Sequence, residues 1–264
     1  MENKEIAKLM VTWAEEAKDR VDAGLDQDLG VQEKTSSRDL VTILDGELER
    51  FYRQEIKKHF PKDRILGEEG QGDQAQSLDG AVWIIDPIDG TLNFVKQRAH
   101  YVTMLARYVD GVGQVGLIYG LDTGQSLLAL AKEGAYLNGQ ILDLSRQRKL
   151  AEASLDQVLM STEALPLDGD LGLYQLSKSS LGLRIFGCAG LDVVHLALGR
   201  TGLYLNQLYP WDNAVAMILA DLCGFKVTDF KGQPLNLLDR QYVLMAYPKI
   251  HEQVLNYLKR KHNK

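Results

Sequence analysis

From Ile6 onward, apolar residues recur at Leu9, Met10, Trp13, Ala17 and Val21 with acids and bases between them, a spacing that predicts an amphipathic first helix. A second helical pattern, Leu44, Leu48, Phe51, Tyr52 and Ile56, runs up to Phe60-Pro61, where the proline ring stops it. Between the two, residues 26–39 are polar, contain Gly30 and the pair Ser36-Ser37, and read as a loop free to move. Strand patterns follow at 81–85, 101–109, 114–119 and 126–131, separated by short Gly- and Asp-containing turns, which predicts an antiparallel sheet. After about Leu142 the texture changes: strand candidates at 157–160 and 184–186 alternate with helices at 191–198 and 214–222, the signature of an α/β half. No internal repeat or Pro/Ser-rich linker intervenes, so residues 1–142 and 143–264 are expected to form two halves that share an interface.

Composition narrows the class. The chain has 264 residues, 45% hydrophobic and 25% charged, which suits a globular protein with a sizeable core. Lys and Arg number 30 against 36 Asp and Glu, a formal charge of -6, and the one short basic run is Lys259-Arg260-Lys261; nucleic-acid binding by bulk electrostatics is disfavoured. The opening MENKEIAKLM carries no charged-then-apolar leader and no apolar run is long enough to span a bilayer, so a cytoplasmic location and no membrane partner are expected. Cys188 and Cys223 are too few for a disulfide framework or a cysteine zinc site and read as buried thiols. His59, His100, His195, His251 and His262 stand apart from the motifs below.

The sharpest of these motifs is Trp83-Ile84-Ile85-Asp86-Pro87-Ile88-Asp89-Gly90-Thr91-Leu92-Asn93-Phe94. An apolar strand is cut off by Asp86-Pro87, and a turn brings a second carboxylate, Asp89, before Gly90 lets the chain fold tightly. Hard divalent cations take oxygen ligands; one carboxylate can bridge two ions, and the Ile88 carbonyl can fill a further position. The Gly90 and Thr91 amides, at the start of a new helix, suit an anion such as phosphate. Taken alone, Asp86-Pro87-Ile88-Asp89-Gly90 is also open to reading as a turn with solvated acids. Upstream, Leu66-Gly67-Glu68-Glu69-Gly70 sets two acids between glycines, and Asp39-Leu40-Val41-Thr42-Ile43-Leu44-Asp45 brings acids and a hydroxyl to the second helix, where Thr42 or Asp45 could be a simple cap. Late in the chain, Tyr209-Pro210-Trp211-Asp212-Asn213-Ala214 opens an apolar helix, and Asp212 could be its N-cap.

Four such motifs in this order resemble the inositol monophosphatase family of metal-dependent, lithium-sensitive phosphatases, and Gly187-Cys188-Ala189 before Leu191-Asp192 matches a further family segment. The likeness runs from the first helix to about Gly224. It implies an α+β fold, a layered αβαβα sandwich with an antiparallel N-terminal sheet. It implies that Glu68, Asp86 and the Ile88 carbonyl bind a first Mg²⁺, that Asp86, Asp89 and Asp212 bind a second, and that Glu68 faces a third ion through water, two to three per active site. By the same resemblance Thr91 and Asp45 orient the attacking water, with Glu68 among the catalytic groups. Asp89, Gly90, Thr91, Gly187, Cys188, Ala189 and Asn206 contact substrate, Lys34 sits in a loop near the third metal, and the protein is a homodimer.

The implied activity is a Mg²⁺-dependent phosphomonoesterase for inositol monophosphate or a related small phosphorylated metabolite, working by two-metal activation of water. Nucleotide-bisphosphate or fructose-bisphosphate hydrolysis within the same family, a non-catalytic regulatory member and a structural Ca²⁺-binding protein are the competing readings. Inositol-specific members resemble one another in a Glu shortly before Trp-Asp. Asn206 takes that place here, and the stretch to Trp211 is one residue shorter, which points to a broader substrate range.

Overall fold

A computed structural model describes residues 1–25, 28–37, 39–72, 74–163 and 172–262, with side chains for all of these except Thr35, Asp39 and His262. The elements in order are α1 (Asn3–Gly24), β1 (Gln32–Ser36), β2 (Asp39–Val41), α2 (Ile43–His59), β3 (Arg64–Gly67), β4 (Ala81–Asp89), α3 (Thr91–Gln97), β5 (Val102–Val109), β6 (Val112–Gly120), β7 (Ser126–Leu130), β8 (Gly134–Leu137) and β9 (Gln140–Ile141). The chain continues through α4 (Ser145–Leu150), β10 (Leu159–Thr162), α5 (Leu173–Ser177), β11 (Gly182–Arg184), α6 (Ala189–Ala197), β12 (Leu203–Leu208), α7 (Pro210–Cys223), β13 (Lys226–Asp229), β14 (Gln241–Ala246) and α8 (Pro248–His262).

Among the described residues, a seven-stranded sheet runs β3-β4-β5-β6-β7-β8-β9 and a five-stranded sheet runs β11-β10-β12-β14-β13. Helices α1 and α2 cover one face of the larger sheet, α6 and α7 lie between the two sheets, and α8 packs on β14. This is the layered sandwich that the resemblance implies. Its larger sheet is antiparallel except at the edge, where β3 runs parallel to β4. The smaller sheet is mixed, with β10 parallel to β11 and β12, and β14 antiparallel to β12 and β13.

Three sequence expectations need correcting. The stretch read as a loop over 26–39 carries strands β1 and β2, which form an antiparallel hairpin whose residues 31–34, 36 and 37 are exposed. β1 is polar with its described side chains exposed, and the buried Leu40 lies in a β2 of only three residues, too short for an alternation of polar and apolar residues to announce the pair. The strand expected at 184–186 is observed at Gly182–Arg184. Strands β12, β13 and β14 and helix α8 were not expected at all, although α8 buries Ile250, Val254 and Leu258 at fourfold spacing behind Pro248.

Burial explains why β4 reads as a continuous apolar run. Val82 and Ile84 point into the core shared with α6 and α7, while Trp83 and Ile85 point into the core under α1 and α2. The Trp83 indole N–H donates to the buried Asp63 carboxylate (3.0 Å), which also accepts from Arg107 Nε (2.8 Å). On the other face α7 lies close against β6, because a Cβ on Gly116 would stand 3.0 Å from a Val215 methyl and one on Gly113 would overlap Ile218. The Tyr108 hydroxyl pins the same helix by donating to the Ala214 carbonyl (2.7 Å). No described helix is long and apolar enough to cross a membrane.

The close seat of α7 gives a direct test. Gly116→Val should destabilise the protein by about 1–3 kcal/mol through overpacking, read as a lower urea midpoint at unchanged m-value; an unaltered midpoint would mean that the glycine does not set the spacing.

Candidate active site

Strand β4 delivers two carboxylates to one place by means of an irregularity. Asp86 pairs with Met104 and Asp89 pairs with Val102, so three steps on β4 match two on β5. Residues three apart on a regular strand face opposite sides; the extra residue restores the parity, so Asp86 and Asp89 share the face that carries Val82 and Ile84. Pro87 fits inside the bulge because a ladder N–H is not required there. Asp212 reaches the same point from the third position of α7, where it caps the helix by accepting the Tyr209 N–H (2.8 Å). It therefore acts as a capping acid, with Tyr209 rather than Asp212 in the N-cap position. Asp86, Asp89 and Asp212 each bring a carboxylate oxygen within 4.8 Å of the others.

The electrostatic consequence is severe. Burial, followed by the charges of Glu68, Asp89 and Asp212, holds the Asp86 carboxyl well above the usual range. Burial and the charges of Asp89 and Glu68 do the same to Asp212. Burial raises Glu68 to about 7 against the pull of Lys34. Asp86 Oδ1 is buried without a hydrogen-bond partner. An orphaned carboxylate oxygen among converging acids is what a divalent cation would satisfy, so the donor set fits hard-metal binding.

Asp89 is anchored from across the molecule: its carboxylate accepts from the Gly190 and Ala189 amides at the start of α6 and from the Cys188 thiol (3.1 Å). Gly90, at φ +85°, leaves no room for a side chain, since a Cβ would lie 3.0 Å from the His100 carbonyl and 3.1 Å from Cys188. The Thr91 hydroxyl lies 2.9 Å from the Ile88 carbonyl and 3.1 Å from Asp45 Oδ1. Asp45 also accepts from the Thr42 amide (2.7 Å) and hydroxyl (2.5 Å), so it is a helix cap and a partner of Thr91 at once. Burial pushes its pKa to about 6 against these hydrogen bonds. Lys34, on β1, bridges Glu68 (2.9 Å) and Glu69 (2.6 Å).

Asn206, on β12, is held by hydrogen bonds to its own strand. Its Oδ1 accepts the Gln207 N–H (2.8 Å) and its Nδ2 donates to the Tyr204 hydroxyl (3.1 Å). Gly187 sits against Asn93, whose Nδ2 donates to the Phe186 (2.8 Å) and His100 (3.0 Å) carbonyls and so ties α3 to the segment that holds Asp89. Asn93 was visible inside the long motif without an assigned role. Two further acids had no role assigned from the sequence: Asp192, noted only within the Leu191-Asp192 match, and Glu163, which was not singled out. Asp192 is fully buried on α6, and burial holds its pKa well up. Glu163 follows β10 and is raised to about 7 by burial and by Asp89. Asp39 and His262 lie outside the described side chains.

The inositol monophosphatase family model matches residues 2–263. The chain belongs to the inositol monophosphatase family. The match extends beyond Gly224, where the sequence likeness was read to stop. The inositol-1-monophosphatase of Bacillus subtilis is 36% identical over 252 residues, 95% of each chain. The fructose-1,6-bisphosphatase/inositol-1-monophosphatase of Thermotoga maritima is 31% identical over 248 residues, 94% of this chain and 88% of that one. A crystal structure of an IMPase/NADP phosphatase complexed with Mg²⁺ and phosphate superposes with a TM-score of 0.86 at 26% identity, covering 97% of this chain and 95% of that one. This inositol monophosphatase family member is a phosphoric monoester hydrolase with a part-buried acidic cluster suited to divalent cations.

The raised carboxyls set a pH dependence. An acid whose pKa is higher in the folded than in the unfolded chain costs stability when ionised, and proton uptake removes the cost as pH falls through the folded value. Glu68, at about 7, together with Asp86 and Asp212 should therefore make the metal-free protein more stable at pH 6.5 than at pH 8. Below about 6.5 His251, pushed down to about 4 by burial, acts in the opposite direction. Thermal melting in chelator across this window checks the sign, and Mg²⁺ should raise Tm more at pH 8 than at pH 6.5 because protons compete for the same oxygens. A Tm that falls steadily from pH 8 to 6.5 in chelator would contradict it.

Proposed function

We propose that the protein hydrolyses small phosphate monoesters with two to three Mg²⁺ ions held by Glu68, Asp86, Asp89, Asp212 and the Ile88 carbonyl. The observation that carries this reading is the convergence of Asp86, Asp89 and Asp212 with an unpartnered Asp86 oxygen among them. Divalent cations held there would supply neutralisation of the phosphoryl charge and a lowered pKa for a bound water. The protein's own groups do the rest. The Asp45 carboxylate takes the Thr91 hydroxyl proton as a hydrogen bond, leaving the Thr91 oxygen able to accept from the attacking water and fix its direction. Gly90 and Thr91 cradle the phosphate, while Cys188 and Ala189, behind the tight turn at Gly187, orient Asp89. Lys34 offsets part of the charge of Glu68 and Glu69 by pairing with both. In this reading residues 1–142 supply most of the ligands, and residues 143–264 supply Asp212 and the segment around Cys188. A homodimer in the cytoplasm belongs to the same proposal, supported by the family resemblance.

Two observations favour a substrate range beyond inositol monophosphate. Both ends of the Asn206 carboxamide are engaged by the protein itself. The Arg240 guanidinium stacks 4.6 Å from the Tyr209 ring, and its charge acts on Asp212, which gives the rim of the site a cation for a second anionic group. Sugar, glycerol and nucleotide phosphates or bisphosphates are accordingly expected alongside inositol monophosphate.

Asp86→Asn should lower phosphate release by at least about 10³-fold with the fold retained, since the metal-centred stabilisation it supports is worth several kcal/mol; a purified variant keeping a tenth of wild-type turnover would refute the assignment. For substrate choice, Asn206→Glu is expected to shift the ratio of kcat/KM on inositol monophosphate to that on fructose bisphosphate about tenfold towards inositol monophosphate, the scale of one charged hydrogen bond. An unchanged ratio, or a wild-type preference for inositol monophosphate above about 10³-fold, would remove Asn206 from the account.

A further inference from the structure

The turn that carries Glu68 is built on a carboxylate that belongs to another element. Glu49 lies on α2, one turn beyond Asp45 and one turn before Arg53, and is fully buried. Its Oε2 accepts the Glu69 N–H (2.7 Å), and its Oε1 accepts the Gln71 N–H (2.9 Å) and Arg53 Nε (2.9 Å). Gly67 precedes the turn because nothing larger fits: a Cβ there would stand 2.7 Å from the Glu49 carboxyl carbon and both its oxygens. The Gly67 amide in turn donates to Gln74 Oε1 (2.9 Å). The backbone on either side of Glu68 thus donates to named side-chain acceptors, and the Glu68 side chain is left to face Asp86 and Lys34.

A buried carboxylate is costly unless paired and hydrogen-bonded; this one is paired with Arg53 on its own helix and otherwise accepts from two main-chain donors of a single turn. We infer that Glu49 is a positioning residue for Glu68: it fixes the Gly67–Gln71 backbone so that the Glu68 carboxylate is already in place when a divalent cation binds. Asp45 and Glu49, four residues apart on one helical face, would then serve the two sides of the site from the same element, Asp45 through Thr91 and Glu49 through the turn. This inference rests on the assignment of Glu68 as a metal ligand.

The test is calorimetric titration of the chelator-treated full chain with Mn²⁺ as the probe, combined with amide hydrogen exchange. Glu49→Gln keeps the shape, but its amide NH₂ opposes one of the two backbone N–H groups. The expected result is a loss of about 10-fold or more in affinity at the tightest Mn²⁺ site, as for other groups that orient ligands, with faster exchange at Glu69 and Gln71 and unaltered exchange in β5 and β6. Gly67→Ala, which leaves Glu49 intact and displaces it from the turn, should weaken Mn²⁺ in the same direction and decides the matter should Glu49→Gln fail to fold. Glu68→Gln is the control: if it leaves Mn²⁺ binding unchanged, the assignment of Glu68 fails. If Glu68→Gln weakens Mn²⁺ but Glu49→Gln, or Gly67→Ala in its place, alters affinity less than threefold, the role of Glu49 is overturned and that of Glu68 stands.

Discussion

Mutual repulsion of clustered carboxylates is the constraint around which this molecule is arranged. Asp86 is buried, Asp89 and Asp212 are half-buried, and the three cannot all be ionised within 4.8 Å of one another without opposing charge, yet the rest of the fold keeps them there. The scaffold does so by spending rigid structure on each acid. A bulge in a doubly buried strand aims Asp86 and Asp89, the first turn of α6 grips Asp89, and the first turn of α7 grips Asp212. These are hydrogen bonds to ionised carboxylates, which favour the charged forms that burial disfavours.

Much of this could be read from the chain. The apolar run into Asp86-Pro87 announced β4, because a strand covered on both faces needs continuous hydrophobicity. The helical spacing of α1 and α2 was plain for the opposite reason, since each shows one apolar stripe. Asp86, Asp89 and Asp212, which the structure brings together, lie in motifs that stood out because hard cations need clustered oxygen ligands.

What was missed has physical causes. The β1–β2 hairpin lies on the surface, and its polar sequence follows neither periodicity. β12 packs Leu203, Tyr204 and Leu205 in succession and then buries a polar Asn206, which blurs a short apolar run into its surroundings. Glu49 was the most instructive omission. An acid on the apolar stripe between Leu48 and Tyr52 contradicts the pattern of the helix, and that contradiction was the available signal, since a charge in the core persists only with partners.

The grip of α6 on Asp89 has a consequence for the order in which the protein comes into being. The Gly190 amide and the carboxylate it holds are 101 residues apart in the chain. At ribosomal speeds of about 5–20 residues per second, Asp89 is made roughly 5 to 20 s before its partner. Throughout that interval the first sheet can assemble from local strand pairings, yet its acids lack both the donors of α6 and the third carboxylate of α7. Ion capture is thereby deferred to the end of synthesis, and a nascent or truncated chain would present acidic residues without a formed site.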